Sequence, residues 1–393
     1  MAVWYTLLLL SGLAILVPMA VWSVECAAAL LPARRRRYDA MRRPRLAILV
    51  PAHNEAHVIR QTLDNLRRQI LAGDWLVVIA DNCTDDTARI ARDSGTLVFE
   101  RHDELHQGKS YALDFGLRSL GSDPPEVLVV VDADCQADSG SIDRMARLAS
   151  ATGAPVQANY LLESPDEPKL AELAFLIKNF VRPSGLDRLG LPCFLNGSGM
   201  AFPARILQDS ILSNGQIAED KWLTVDLALL GCVPIFCPDA RITSNFPNQQ
   251  GAKVSQATRW LHGHLECIVR QGPRLLAGAM RQRRIDLFGL FLDLCVPPLS
   301  LLLASWTVVF ALTVVAGVLT GKWLPVILTV AEGFLMAGSF YAVAVKFGPN
   351  GIGKLLLAGP AYLLGKLPLL AGFVFRRERK WVRTERDPPQ PPD

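Results

Sequence analysis

"EVLVVVDADC", residues Glu126 to Cys135, decides the fold. Val127 to Val131 are apolar without a break, and two carboxylates follow at once. A short apolar run that does not alternate predicts a strand buried on both faces. The same pattern recurs upstream. "LAILV" (Leu46 to Val50) is stopped by Pro51, after which Ile59, Leu63, Leu66 and Ile70 repeat at helical spacing. "WLVVIA" (Trp75 to Ala80) predicts a second strand, with a helix from about Asp85. "TLVFE" predicts a third strand, and a helix from about Lys109 to Leu120 leads back to the opening stretch. Short apolar strands alternating with helices predict an α/β domain whose mostly parallel sheet is covered on both faces. Ligands of such sheets lie at the C-terminal ends of the strands.

The polar residues cluster at those ends. Ala133 separates Asp132 from Asp134 and is small, so both carboxylates can turn toward one point. Two hard anionic oxygens suit Mg²⁺ or Mn²⁺ bridging a diphosphate. The competing reading makes them caps of the next helix, which Ser139 or Ser141 can do instead. In "ADNCTDDT", Asp81 ends a strand and can reach a base or ribose, while Asp85 suits a helix cap. "HNE" places Glu55 at the end of the first strand. "HQGKSYALDFG" offers a turn at Gly108 and Lys109 at a helix start, where backbone N–H groups and an ammonium favour phosphate. Farther on, "SQATRW" (Ser255 to Trp260) gathers Gln256, Arg259 and Trp260 at i, i+3 and i+4 of a helix, on one face.

Composition adds a membrane part. Half of the 393 residues are hydrophobic and the net charge is only +4, which excludes a nucleic-acid polycation. Val3 to Leu31 is apolar and long enough to cross about 30 Å of hydrocarbon. Arg34 to Arg37 follow it, so residues 1–33 read as an uncleaved anchor with its N-terminus outside. Residues 285–375 form a second apolar block. Leu299 to Val318 and Trp323 to Val345 are its clear spans, Leu287 to Val296 suits the interface, and Ile352 to Phe375 is interrupted by Lys354, Pro360, Lys366 and Pro368. The basic run Arg376 to Lys380 opens a tail, 376–393, that pairs with the first cluster on the cytoplasmic side. Eight cysteines without a C-x-x-C pair read as reduced thiols.

"PAHNE", "ADNCTDDT", "QGKSYALDFG" and "VVDAD", in that order, resemble the nucleotide-sugar motifs of glycosyltransferase family 2, which has the GT-A fold. "NGSGMAFP" (Asn196 to Pro203), "AED" (Ala218 to Asp220) and "QATRW" resemble the acceptor-side motifs of its membrane-integrated members, the cellulose-synthase and hyaluronan-synthase-like enzymes. The resemblance covers about Leu46 to Ile268 and implies a cytoplasmic GT-A domain over residues 44–275. It implies Glu55 and Asp81 at the nucleoside, Lys109 near phosphate, and Asp132 and Asp134 at the donor and its Mg²⁺ or Mn²⁺. Asp220 is implied as catalytic base, with Glu219 its competitor. Gln256 and Arg259 are implied on the diphosphate, and Trp260, Ser198 and Gly199 on the acceptor.

The implied activity is inverting, metal-dependent transfer from a nucleoside-diphosphate sugar, UDP-linked, to a growing glycan or lipid-linked oligosaccharide. Surface polysaccharide synthesis at a bacterial inner membrane, beside an export machinery, is the implied setting. Few spans follow the catalytic domain, which tells against a polymer-conducting channel, so a processive synthase is kept as the alternative. Asn82-Cys83-Thr84 stands where the family usually has Asp-Gly-Ser. A regulatory subunit without chemistry would be expected to lack Asp132, Asp134 or Asp220. A transporter would need more spans and more buried charge than Glu332 supplies.

Overall fold

The computed structural model describes residues 2–34, 36–121, 124–163, 170–208, 218–247 and 249–347. In chain order the elements begin with α1 (Ala2–Ala28), β1 (Leu46–Ala52), α2 (Ile59–Arg67), β2 (Trp75–Asp81), α3 (Thr87–Asp93), β3 (Leu97–Arg101) and α4 (Lys109–Ser119). Next come β4 (Val127–Val130), β5 (Gln136–Ala137), α5 (Ser141–Thr152), β6 (Val156–Glu163), α6 (Leu170–Leu176) and α7 (Arg182–Leu189). The last are β7 (Met200–Pro203), α8 (Ala204–Gln208), α9 (Glu219–Leu229), β8 (Ile235–Asn245), α10 (Gln250–Gln282), α11 (Ile285–Cys295), α12 (Leu299–Thr320) and α13 (Leu324–Phe347). A π-helical turn, Ile177–Val181, joins α6 to α7.

The strands form one sheet in the order β3-β2-β1-β4-β7-β6-β8-β5. β3, β2, β1 and β4 run parallel, with Leu46 beside Val127 and Val50 beside Val78. β7 enters antiparallel between β4 and β6, and β8 runs parallel to β6. Alternation along β1 separates two cores. Leu46, Ile48 and Val50 pack with Ile59, Leu63 and Leu66 of α2 and Ile142 and Met145 of α5. Ala47 and Leu49 face the other way, with Val77, Ile79 and Leu113 of α4. Both faces are covered, as the unbroken apolar runs require. All four parallel strands therefore deliver their C-terminal ends to one edge of the sheet.

The chain divides into two compact units. Residues 35–165 and 192–263 belong to the sheet unit. Residues 170–191, within the span expected to form the 44–275 domain, group with 2–34 and the described chain from His264 to Phe347. The reason is chemical. Arg182 of α7 donates to Glu25 of α1 at 2.5 Å and pairs with Asp293 of α11. Part of the first basic cluster is likewise committed to the sheet unit, since Arg43 holds Asp74 at 2.6 Å and Asp143 at 2.9 Å.

Within the apolar unit, Met19, Trp22 and Cys26 of α1 pack with Leu302, Met336 and Val343. Among the described residues, three helices are long and apolar enough to cross a membrane: Trp4–Ala28, Leu299–Thr320 and Leu324–Phe347. The 22 residues of α12 extend about 33 Å. α11 matches the short segment expected at the interface, and Glu332 of α13 is buried. Ile352 to Phe375 and the basic tail 376–393 lie outside the described residues.

Candidate active site

β4 ends at Val130, and the chain then turns sharply. The Cys135 N–H donates to the Asp132 carbonyl at 3.0 Å, and the Thr62 hydroxyl holds the Ala133 carbonyl at 2.8 Å. This turn presents Asp132 and Asp134 together at the strand end. The Ser244 hydroxyl donates to Asp134 Oδ2 at 2.7 Å and fixes its rotamer. The candidate ligand atoms of Asp132, Asp134 and Cys135 lie within 4.8 Å of one another.

Cys135 is buried. Burial first, then the neighbouring Asp134 and Asp132, push its thiol well above the ordinary value. Asp132 and Asp134 offer two hard carboxylates, a set that fits Mg²⁺ or Mn²⁺. Its place directly after the acidic pair was the signal that could have marked Cys135 in the sequence.

Lys109 opens α4 after Gly108, whose φ of 128° few other residues adopt. Its ammonium pairs with Asp132 and donates to the Gly197 carbonyl at 2.8 Å. Burial works against that charge, but Asp132 and Glu219 outweigh it and hold the Lys109 pKa above the usual lysine value. Gly197 has φ 84°, and a Cβ there would lie 3.8 Å from Asp220 Oδ2 and 3.9 Å from Lys109 Nζ. Three separate chain segments thus converge at Gly197, a residue the sequence reading passed over.

Glu219 and Asp220 occupy the first turn of α9 rather than preceding it. The Thr224 hydroxyl donates to the Asp220 carbonyl at 2.8 Å and accepts the Leu195 N–H at 3.0 Å. That bridge pins α9 to the extended segment entering the Gly197 turn. Asp220 Oδ1 accepts the Lys221 N–H at 2.8 Å, so one oxygen serves the helix while Oδ2 faces Gly197. Burial, and next the Asp220 carboxylate, push the Glu219 carboxyl up to about 7 against the pull of Lys109.

Ser198 and Gly199, expected at the acceptor, are both buried. Ser198 Oγ accepts the Asp132 N–H at 3.1 Å and donates to Cys135 Sγ at 3.2 Å. The Gly199 N–H donates to the Val130 carbonyl at 3.0 Å. Both fasten the end of β4 because the antiparallel β7 brings them directly alongside it. Gly199 has φ 67°, and a Cβ would meet Ile242 Cγ1 at 2.8 Å and Ala158 Cβ at 2.9 Å. Gly199→Ala is therefore expected to cost about 1–2 kcal/mol from backbone strain alone. A lowered melting temperature of the purified chain checks this.

The loops after β1 and β2 are laced together. Asn54 and Asn82 both have positive φ, 56° and 50°. Asn54 Oδ1 accepts the Thr84 N–H at 2.7 Å, and the Glu55 N–H donates to Thr87 Oγ1 at 2.7 Å. Asp85 accepts the Thr87 N–H at 3.0 Å and the Ala56 N–H at 3.1 Å, the helix-entry role its position suggested. Asp81, at the end of β2, is buried and bonded to Arg101 at 2.6 Å, a partner the sequence did not disclose. Gln256, Arg259 and Trp260 all lie on α10 within the sheet unit. Trp260 is 38% exposed, unlike a core residue, whereas Gln256 and Arg259 are half-buried.

A GT-A-like α/β fold with acids at its strand ends is the frame of a sugar-transferring enzyme class. Residues 44–263 match the model of glycosyltransferase-like family 2, more than half of the chain, and the chain belongs to that family. It is similar to the uncharacterized protein MJ1222 of Methanocaldococcus jannaschii, 29% identical over 133 residues, which are 34% of this chain and 53% of that protein. It is also similar to the probable glycosyltransferase YdaM of Bacillus subtilis, 34% identical over 99 residues, 23% of each chain. The chain thus spans about half of the first relative's length and about a quarter of the second's. Among solved structures, the mannosyltransferase PcManGT of Pyrobaculum calidifontis, in complex with GDP-Man and Mn²⁺, shares the fold. The TM-score is 0.60 at 18% identity, covering 94% of this chain and 100% of that one.

Proposed function

We propose that the chain is an inverting glycosyltransferase of the membrane-integrated, synthase-like kind. It moves a hexosyl group from a nucleoside-diphosphate sugar, UDP-linked in our reading, to a growing glycan or lipid-linked oligosaccharide. The observation that carries this reading is the convergence of Asp132, Lys109, Gly197 and Asp220 at the ends of β4, α4 and α9.

Each residue then has a role. Asp220 takes the proton from the acceptor hydroxyl as that oxygen attacks the anomeric carbon. Lys109 stands where the departing diphosphate gathers negative charge. Gln256 and Arg259 hydrogen-bond that diphosphate, and the exposed face of Trp260 receives the apolar side of a sugar ring. Glu55 and Asp81 meet the nucleoside. Asp132 and Asp134 would hold Mg²⁺ or Mn²⁺, which supplies neutralisation of the diphosphate. The mannosyltransferase of similar fold was solved with Mn²⁺ and a nucleoside-diphosphate sugar, which supports this assignment.

The three apolar helices support a membrane setting, with the N-terminus outside and the sheet unit on the cytoplasmic side of a bacterial inner membrane. Surface polysaccharide synthesis, coupled to an export machinery, is the role proposed there.

The test uses membranes bearing the full chain, Mn²⁺ and radiolabelled UDP- and GDP-sugars. Transfer into lipid-extractable product is expected. Polymeric product would instead make the enzyme a processive synthase, and no transfer from any donor sinks the reading. EDTA should abolish transfer. Ser244→Ala frees Asp134 to rotate and should weaken Mn²⁺ binding roughly tenfold, the lower end for a group that orients a metal ligand. Titration calorimetry measures it, and unchanged Mn²⁺ affinity would remove Ser244 from the site.

A further inference from the structure

Asp81 and Arg101 are register partners on the parallel strands β2 and β3. Arg101 is buried and donates to Asp81 Oδ1 at 2.6 Å. Its other nitrogen reaches Asp103 Oδ2 at 2.9 Å, and its guanidinium lies 5.7 Å from the centre of the Tyr111 ring. The Asn82 amide adds a second donor to Asp81 Oδ1 at 3.2 Å. Asn82 also bridges to the Asp103 backbone, accepting its N–H at 2.7 Å and donating to its carbonyl at 3.1 Å. Every one of these bonds to Asp81 falls on Oδ1. Oδ2 has no hydrogen-bond partner among the described residues.

We propose that Arg101 is a positioning residue for the donor base, clamping Asp81 through Oδ1 so that Oδ2 remains a fixed anionic acceptor. This rests on the reading above, in which Asp81 meets the nucleoside. The consequence is a chemical class of donor. A fixed carboxylate oxygen accepts an N–H and repels a lone pair. Uracil at N3 and guanine at N1 present an N–H on the pairing edge; cytosine at N3 and adenine at N1 present lone pairs. The site therefore favours uridine or guanosine diphosphates over cytidine and adenosine diphosphates, whose exocyclic amino N–H lies beside a ring lone pair that the carboxylate repels. Without Arg101 the carboxyl would swing, and burial would favour its protonated form, which can donate to the rejected bases.

The probes are UDP, GDP, CDP, ADP and inorganic pyrophosphate, each with Mn²⁺, titrated into the full chain in detergent. The wild type should bind UDP or GDP about tenfold or more tighter than CDP and ADP, the scale of one charge-assisted hydrogen bond. Arg101→Lys keeps the charge but cannot span Asp81 and Asp103 together. It should lose most of that preference and leave pyrophosphate binding unchanged. Asp103→Asn releases the far end of Arg101, should shift the ratio in the same direction, and serves if Arg101→Lys does not fold. A wild-type ratio in both variants overturns the proposal, as does an equal loss for all four nucleotides and pyrophosphate, which would mark a purely structural pair. A wild type that binds none of the probes overturns the donor-site reading as well.

Discussion

Asp220→Asn is expected to fold, bind a nucleoside diphosphate with Mn²⁺ as the wild type does, and transfer sugar about 10²–10⁴ times more slowly. The substitution separates two jobs that the structure assigns to two oxygens. Oδ1 accepts the Lys221 N–H at the start of α9, and an asparagine oxygen can keep that bond. Oδ2 faces Gly197 and Lys109, and an amide there has no basicity. A residue that only caps its helix would lose at most about 1 kcal/mol of stability and little rate. Initial rates, donor affinity and melting temperature together decide between the two.

Glu219 is the competitor, and its environment supplies a separate signature. Its carboxyl is pushed up to about 7, so as a base it would be protonated and idle below that pH. A rate that climbs as pH passes about 7, and loses that climb in Glu219→Gln, would move the base one residue upstream. Near-wild-type turnover of Asp220→Asn would say the same.

The parallel half of the sheet was legible because strands buried on both faces read as unbroken apolar runs. β1, β2 and β4 appear where Leu46, Trp75 and Val127 begin such runs, and the half-buried edge strand β3 starts at Leu97 of the shorter run "TLVFE". The antiparallel half was not. β7 is four residues long, and β8 mixes Asp239 and Arg241 with Ile242, so neither carries a clean period. The grouping of residues 170–191 with the apolar unit could not be read from the sequence, because Arg182 is far in the chain from its partners Glu25 and Asp293. The same limit applies at the candidate site. Asp132, Asp134, Lys109 and Asp220 could be found because each adjoins a strand end or a helix start. Arg101, Gly197 and Ser244 could not, since their roles come from neighbours far away in sequence. Ser198 was found by its motif, but its bonds to the Asp132 N–H and Cys135 were not, because burial is not written in a motif.

Arg182→Ala is expected to destabilise the chain by about 3–5 kcal/mol, the cost of leaving buried charge without its partner. Arg182 is nearly enclosed, with its side chain 12% exposed, and Glu25 and Asp293 beside it are 3% and 12% exposed. One guanidinium therefore serves two carboxylates, and its removal leaves both facing each other away from water. The backbone cannot open to admit solvent cheaply. A Cβ at Gly185 would lie 1.9 Å from the Glu25 carbonyl, so α7 already passes directly against α1. The expected readouts are aggregation in detergent and a large fall in melting temperature. Removing the charge altogether should behave differently. The triple variant Arg182→Met, Glu25→Gln, Asp293→Asn has no ion left to desolvate, and should recover most of the lost stability. If Arg182→Ala melts like the wild type, the three groups are solvated and do not hold α7 in the apolar unit. If the triple variant is as damaged as the single one, shape at Arg182 matters more than charge, and the grouping of residues 170–191 rests on packing around Gly185.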